Sequence, residues 1–550
     1  MDLIIAKKIV TMSPERPLVE AVAIDGGRVI AAGTWREIGS EFGNRRHVTV
    51  TNLGESTVVP GFNDNHLHAM SMGQFFSTPR LNGLNRDEIV ETLEELWKDA
   101  EPGELLVARG WDYPECPNPE LEVLDRTFPE NPVALIQYSG HGAWLNSSAL
   151  RRFGIDERTR DPQGGRILRD EAGKPTGILT DDAVRPIHSK RFRDAMRSFG
   201  RAKGHLSEAL RHMAEVGITS VGDNTWLPSV VAYYRRFARE GRLTVRIGCW
   251  SYGELFYGET LMAIRRFDSE WVRRGPVKLF LDGTFSTRTA WLLDGYPDNP
   301  GQKGTATHEQ KWLDNKLALY ARRGRQGAAH AIGDGAVRSY VDAVEKAARS
   351  HRQTRDLRIR VEHGQLIHPD DMSRMADLGM VASAQPHAAL NPEKDRAILG
   401  DRLFARAYPY RSLIAAGVPL SFGSDVPGEE TWSPLYGMQL AVNREGREAI
   451  TAEEALRAYT EGSAHAEFAE RWKGRLAPGM AADFVVLERN PLAVRPEEIS
   501  SIRLLMTVVD GRAVYDAPNG YASYGRTIAE SAAGLSAIPS ARGGEKSGSQ

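Results

Sequence analysis

Between residues 56 and 425, eight short apolar runs alternate with helix-patterned segments, and this alternation limits the possible folds more than any other feature. The runs are STVVPGFND (56–64), VGITSVGDN (216–224), RLTVRIGCW (242–250), GPVKLFLDG (275–283), RQGAAHAIG (325–333), LRIRVEHGQ (357–365), GMVASAQPH (379–387) and GVPLSFGSD (417–425). Strands separated by helical patterns predict a parallel sheet, because a parallel neighbour is reached only through a long crossover. Eight such units are the number that closes a TIM (β/α)8 barrel. Helices fit the gaps. The spacing predicts one over Ala336–Arg349 and one over Thr451–Tyr459, with Thr451 as N-cap and Glu454 three residues later. The first gap, about 150 residues, is too long for one crossover. Residues 75–200 are therefore expected as an insertion, a lid over the barrel mouth, since that loop follows a strand's C-terminal end.

The flanks read differently. Residues 1–57 and 472–526 consist of short β-branched runs broken by turns, with Asp25-Gly26-Gly27 and Asp510-Gly511 as hairpin signals. Each flank is too short to fold alone. Together they predict a small composite β-sandwich around a barrel spanning 58–471. The segment 527–550, rich in Ser, Gly and Ala, is expected to be a flexible tail.

Charge narrows the partners. Seventy Lys and Arg against 72 Asp and Glu give a net charge of −2, which offers no footprint for nucleic acid or an anionic membrane, so a small-molecule substrate is expected. A homodimer is among the assemblies allowed. Two cysteines, Cys116 and Cys249, are too few for a disulfide framework or a cysteine metal site. No run reaches the ~18 apolar residues of a membrane span, and the first residues lack a cleavable leader pattern; a cytoplasmic location is expected.

The chemistry sits at the strand ends. In VVPGFNDNHLHAM, His66 and His68 are two apart, so a strand places both on one face. Alone, such a pair is more often structural than metal-binding. The fifth run adds His330, the sixth His363, and the eighth Asp425. A barrel gathers these ends into one ring. Imidazole nitrogen with carboxylate oxygen suits zinc first, and tolerates manganese, iron or cobalt. Lys278 is out of place in the apolar fourth run. It either pairs with Asp282, snorkels to the rim, or reacts with carbon dioxide to give a carbamate whose two oxygens can bridge two metal ions.

The stretches PGFNDNHLHA, VKLFLDGTFSTRTA, HAIGDGAV, RVEHGQLI, QPHAAL, FGSDVP and GRLAPGMAADFVVL resemble the amidohydrolase superfamily, in particular its YtcJ-like branch, which includes N-substituted formamide deformylases. The resemblance runs over nearly the whole chain. It implies a TIM barrel with a small β-sandwich, and a centre of two divalent metals on His66, His68, Lys278 as its carbamate, His330, His363 and Asp425. It also implies hydrolysis of an amide-type C–N bond, of the N-formyl or N-acyl amine type, with Asp425 as general base and then general acid. His387 or His141 is expected to steady the oxyanion, and Trp111, Asp112, His141 and Arg288 to touch substrate. Asp181-Asp182 stand where relatives often carry Glu, so any role of a glutamate there does not transfer.

The rival readings are an esterase, lactonase or carbamate hydrolase with the same centre, a ring deaminase, and a non-catalytic scaffold. Ring deaminases of this superfamily usually carry His-x-x-Glu at the fifth strand; here Gly333 holds that third place. A scaffold that had lost its metals would lack several of these ligands.

Overall fold

The computed structural model describes residues 1–518 apart from 139, 163–164, 226, 255–267, 300 and 430. The eight runs form β1 (Phe62–Leu67), β2 (Ile218–Asp223), β3 (Arg246–Tyr252), β4 (Val272–Phe280), β5 (Gly327–Ala331), β6 (Arg360–His363), β7 (Val381–Ala384) and β8 (Leu420–Phe422). They lie side by side in chain order, every pair parallel. The two margins meet through backbone: Asp425 N–H donates to His66 O at 2.7 Å, and His68 N–H to Val426 O at 3.0 Å. The result is a nearly closed TIM-like barrel. β6 and β7 are buried at every residue, as a parallel strand covered on both faces must be.

The helices follow the predicted spacing. In α1 (Asp334–Ser350), Val337, Tyr340, Val341, Val344 and Ala348 recur at intervals of three and four and are buried. α2 (Ala452–Arg457) opens on a capping box: Thr451 accepts from the Glu454 amide, and the Glu454 side chain accepts from the Thr451 amide.

One boundary moves. Thr57–Pro60, read as the start of the first barrel strand, pairs instead with Asp2–Val10 and Phe484–Leu487 in the terminal sheet. The barrel begins at Phe62. Gly61 is the junction, and a Cβ there would lie 2.2 Å from Thr219 Oγ1, so the crossing from one sheet to the other leaves no room for a side chain.

The terminal sheet draws on both ends of the chain, in the order Arg512–Asp516, Leu504–Val509, Phe484–Leu487, Thr57–Pro60, Asp2–Val10, Leu18–Asp25 and Arg28–Gly33, with Thr49–Asn52 also on Asp2–Val10. Ile4, Ile9, Val22 and Val58 share one buried cluster with Phe484, Val486 and Met506. Both hairpin turns have two residues at positive φ, 54° and 76° at Gly26-Gly27 and 55° and 72° at Asp510-Gly511, the type I′ geometry that matches strand twist. Arg246, at the start of β3, ties the barrel to this sheet: its Nε donates to Asp483 Oδ2 at 2.7 Å and its Nη2 to Oδ1 at 3.0 Å.

Residues Met70–Ala209 form a second compact unit. It has its own five-stranded sheet and an apolar core that includes Leu93, Leu106, Trp111, Leu135 and Trp144. The bounds of this unit are wider than the 75–200 expected for the insertion. The tail 527–550, like the end of 472–526 beyond 518, lies outside the described residues. Among the described residues no helix is long and apolar enough to cross a membrane.

Candidate metal centre

At the C-terminal end of the barrel, donor atoms of His66, His363 and Asp425 all lie within 4.8 Å of one another. His66 reaches the group from the end of β1, where Glu362 fixes its ring: His66 Nδ1–H donates to Glu362 Oε2 at 2.6 Å. That bond settles the tautomer and leaves the Nε2 lone pair facing Asp425 Oδ1 at 3.4 Å and Lys278 Nζ at 3.5 Å. His68 Nε2 lies 3.2 Å from the same Asp425 oxygen. The His330 ring stands 4.3 Å from the His363 ring, and the His66 ring 5.1 Å from it. Six residues singled out in the sequence therefore converge.

Backbone geometry accounts for two of them. His363 follows Glu362, which faces His66, and in a straight strand it would point the opposite way. Its φ of 71° turns the chain at the strand end. Asp425 also has positive φ, 59°. Left-handed backbone at two non-glycine residues is uncommon and collects at functional sites.

Electrostatics favour the neutral form of His66, His330 and His363 and the charged form of the carboxylate. Burial, with Lys278 nearby, pushes His330 down to about 4 and holds His66 below its ordinary value. Burial and the neighbouring His330 hold His363 well below the histidine range. Burial pushes the Asp425 carboxyl up, but His66, His68 and His363 outweigh it, so the group stays ionised. Lys278 is only 2% exposed, which rules out snorkelling, and burial brings it down to about 8 against the pull of Glu362 and Asp425. Pairing with Asp282 does not occur either. That carboxylate accepts the amides of Ile332 (3.0 Å), Gly333 (2.8 Å) and Trp291 (2.9 Å).

Behind the donors lies a network that the sequence reading missed. Arg360 and Glu362 are both fully buried; Arg360 Nε donates to Glu362 Oε1 at 2.7 Å, Nη1 to Asn65 Oδ1 at 2.9 Å and Nη2 to Ser383 Oγ at 2.9 Å. Burial raises the Glu362 carboxyl, but Arg360 and His66 bring it down to about 2. The signal was present in RVEH, two opposite charges on one face of an otherwise apolar strand.

Other sequence candidates are engaged elsewhere. His387 is buried on the turn after β7, with its Nε2–H directed to Ser433 O at 3.1 Å. Arg288 pairs with Asp298, its Nε donating at 2.9 Å. In the second unit, Trp111 is 1% exposed, stacks edge-on against Trp144 and donates its indole N–H to Leu135 O at 2.8 Å, so it is a core residue with no free face for a substrate. Asp112 accepts from Gln137 Nε2 at 2.8 Å. His141 is two-thirds exposed and lies 3.4 Å from Asp181.

A model of the amidohydrolase family matches residues 49–515. The chain belongs to the amidohydrolase family. This amidohydrolase is 32% identical to the N-substituted formamide deformylase of Arthrobacter pascens, over 94% of its own length and 98% of the relative's. It is 29% identical to protein LONG AFTER FAR-RED 3 of Arabidopsis thaliana, over 94% and 91% of the two chains. Among solved structures it resembles an uncharacterized metal-dependent hydrolase from Pyrococcus furiosus, with a TM-score of 0.75, 28% identity, and coverage of 89% and 99%. As an amidohydrolase it is a metal-dependent hydrolase.

Proposed function

We propose that this amidohydrolase cleaves an amide-type C–N bond of a small molecule, of the N-formyl or N-acyl amine class, using two divalent ions, zinc first. The observation that carries this reading is the arrangement of His66 Nε2 and Asp425 Oδ1, two acceptors facing each other at 3.4 Å beside neutral imidazoles. Such a pair repels unless a cation or a proton lies between them, so the donor set fits a metal. The His68 ring turns its Nε2 to the same Asp425 oxygen at 3.2 Å, while its Nδ1 is buried without a hydrogen-bond partner. The residues that would hold the ions are His66, His68, His330, His363, Asp425 and Lys278 as its carbamate. The similarity to a formamide deformylase supports the bond class. The terminal sheet is proposed as the family's small β-sandwich, 1–57 with 472–526.

Bound there, divalent cations would polarise the scissile carbonyl and bring the pKa of water towards neutrality. Asp425, held ionised, takes a proton from the attacking water and returns it to the departing amine nitrogen. The Lys278 amine, lowered to about 8, is neutral often enough to add its lone pair to carbon dioxide, forming an N–C bond and releasing one proton. Glu362 keeps the His66 Nδ1 proton in place, so Nε2 stays a donor of electrons. Oxyanion support from His387 requires its Nε2–H to leave Ser433 O. His141 is the other candidate from the sequence, and His141→Ala raising KM or lowering kcat at unchanged metal content would support it.

The test is a hydrolysis screen of the zinc- and manganese-loaded enzyme on N-formyl, N-acetyl and N-aryl amines beside matched esters, lactones and carbamates. Preference for the amides supports the proposal. Turnover confined to the oxygen esters would move the reading to that alternative, and no turnover at full metal content would overturn it.

A further inference from the structure

A second cluster of charge lies near the other end of the barrel. A cavity of about 170 Å³ opens there, lined by Arg246 at the start of β3, Arg273 and Arg274 in the first half of β4, Arg325 just before β5, and Lys473 beyond the last barrel helix. Along β4, Arg273 and Lys278 are five residues apart, about 16 Å of strand, so this cavity is not the metal centre.

The cations in its wall outnumber the anions. Glu270 and Glu467 are the lining carboxylates. Lys473 is matched, donating to Glu467 Oε2 at 2.6 Å and to Ser220. Arg274 is matched by Asp268, with Nε–Oδ2 at 2.7 Å. Arg246 spends Nε and Nη2 on Asp483 and Asp510, while its buried Nη1 makes no hydrogen bond and pairs with Glu270 at 3.7 Å. Among the described residues, Arg273 and Arg325 have no carboxylate within ion-pair distance: Arg273 donates to the Glu467 carbonyl at 3.3 Å, and the Arg325 Nε is buried without a partner. Unmatched guanidiniums held next to Arg274 and Arg246 repel one another, and partly buried positive charge of this kind is stabilised by a bound anion.

We propose that this cavity is a second ligand site, for a compact multivalent oxyanion held by Arg273 and Arg325 beside Arg246. Guanidinium forks match phosphate and carboxylate oxygens two at a time. The volume admits an inorganic phosphate or a short dicarboxylate. Trp250 gives the site a physical link to the chemistry. It lines the cavity, its ring lies 5.0 Å from the His66 ring, and Gly275 makes room for it, since a Cβ there would lie 2.5 Å from Trp250 Cδ1.

The test is a titration of the metal-loaded enzyme with phosphate, sulfate and succinate, each against chloride at equal ionic strength, read by tryptophan fluorescence and thermal unfolding. A saturable response is expected to one or more of the three, weakened at least tenfold in Arg325→Gln and in Arg273→Gln and largely kept in Arg325→Lys. Phosphate and sulfate responding without succinate identifies the inorganic source; succinate alone identifies the dicarboxylate. An oxyanion that reached only the metal centre would respond equally in wild type and both glutamine variants, and that result overturns the site. So does a wild-type response no larger than that of chloride, a measurement that stands even if a variant fails to fold.

Discussion

Glu362 and His66 form a buried pair, 2.6 Å apart, in which the carboxylate holds the imidazole's Nδ1 proton and so aims its other nitrogen at Asp425. Removing the carboxylate frees the ring and its tautomer while leaving every donor in place. Glu362→Ala is expected to weaken metal binding by about 10–100-fold, the usual effect of losing a partner behind a ligating histidine. Metal content after graded chelator treatment checks this, and unchanged retention would assign Glu362 to packing alone.

Asp425→Asn keeps the shape and removes the base. Turnover is expected to fall by about two orders of magnitude or more. Normal metal content with near-normal turnover would take Asp425 out of the proton transfer.

Lys278→Ala is expected to lower the metal content and nearly abolish turnover, with partial rescue by acetate or propionate supplied with metal. Bicarbonate added while metal is restored to the wild-type apoprotein is expected to speed recovery. Metal analysis and rate measurements on the same samples separate this from a packing defect, which a small carboxylate does not repair.

Burial brings His387 down to about 4, against the upward pull of the Ser433 carbonyl. In the unfolded chain an imidazole binds its proton near 6.5. Between those values the unfolded state holds more protons, so stability falls as pH is lowered from about 6.5 to 4 and is whole above that window. The contribution is on the order of 3 kcal/mol by the usual conversion of a pKa shift. Urea unfolding of wild type and His387→Gln across this range is expected to show a shallower dependence in the variant.

Asp483→Ala leaves Arg246, 2% exposed, without its bidentate partner. A loss of about 3 kcal/mol is expected, the low end of the range for breaking one side of a buried ion pair, because Asp510 still faces the guanidinium. Because the pair joins barrel and terminal sheet, chemical denaturation should show both failing together; a shift under 1 kcal/mol would show that the link is dispensable.

The sequence exposed most of the donor set because ligands at strand ends follow from local order: once eight strands are placed, His66, His330 and Asp425 share one end by topology alone. His363 was placed by that same rule although its parity is wrong, and only the turn at its own backbone makes the placement true. What stayed hidden depends on long-range packing. Nothing near Trp111 shows that Leu135 and Trp144 enclose it, and nothing near Pro60 shows that a strand more than 400 residues later claims Thr57–Pro60. The Arg360–Glu362 pair was visible as a charge pattern, but its partners Asn65 and Ser383 come from other strands.

That late pairing bears on synthesis. Thr57–Pro60 lies between Asp2–Val10 and Phe484–Leu487, so on the ribosome one of its edges stays bare while ~420 further residues are made, roughly 20 to 90 s at ordinary elongation rates. Throughout that interval the nascent chain offers an apolar template to any passing strand. Proline at position 60, which donates no amide hydrogen, shortens that template, and a chaperone that shields extended apolar segments would find a client surface there.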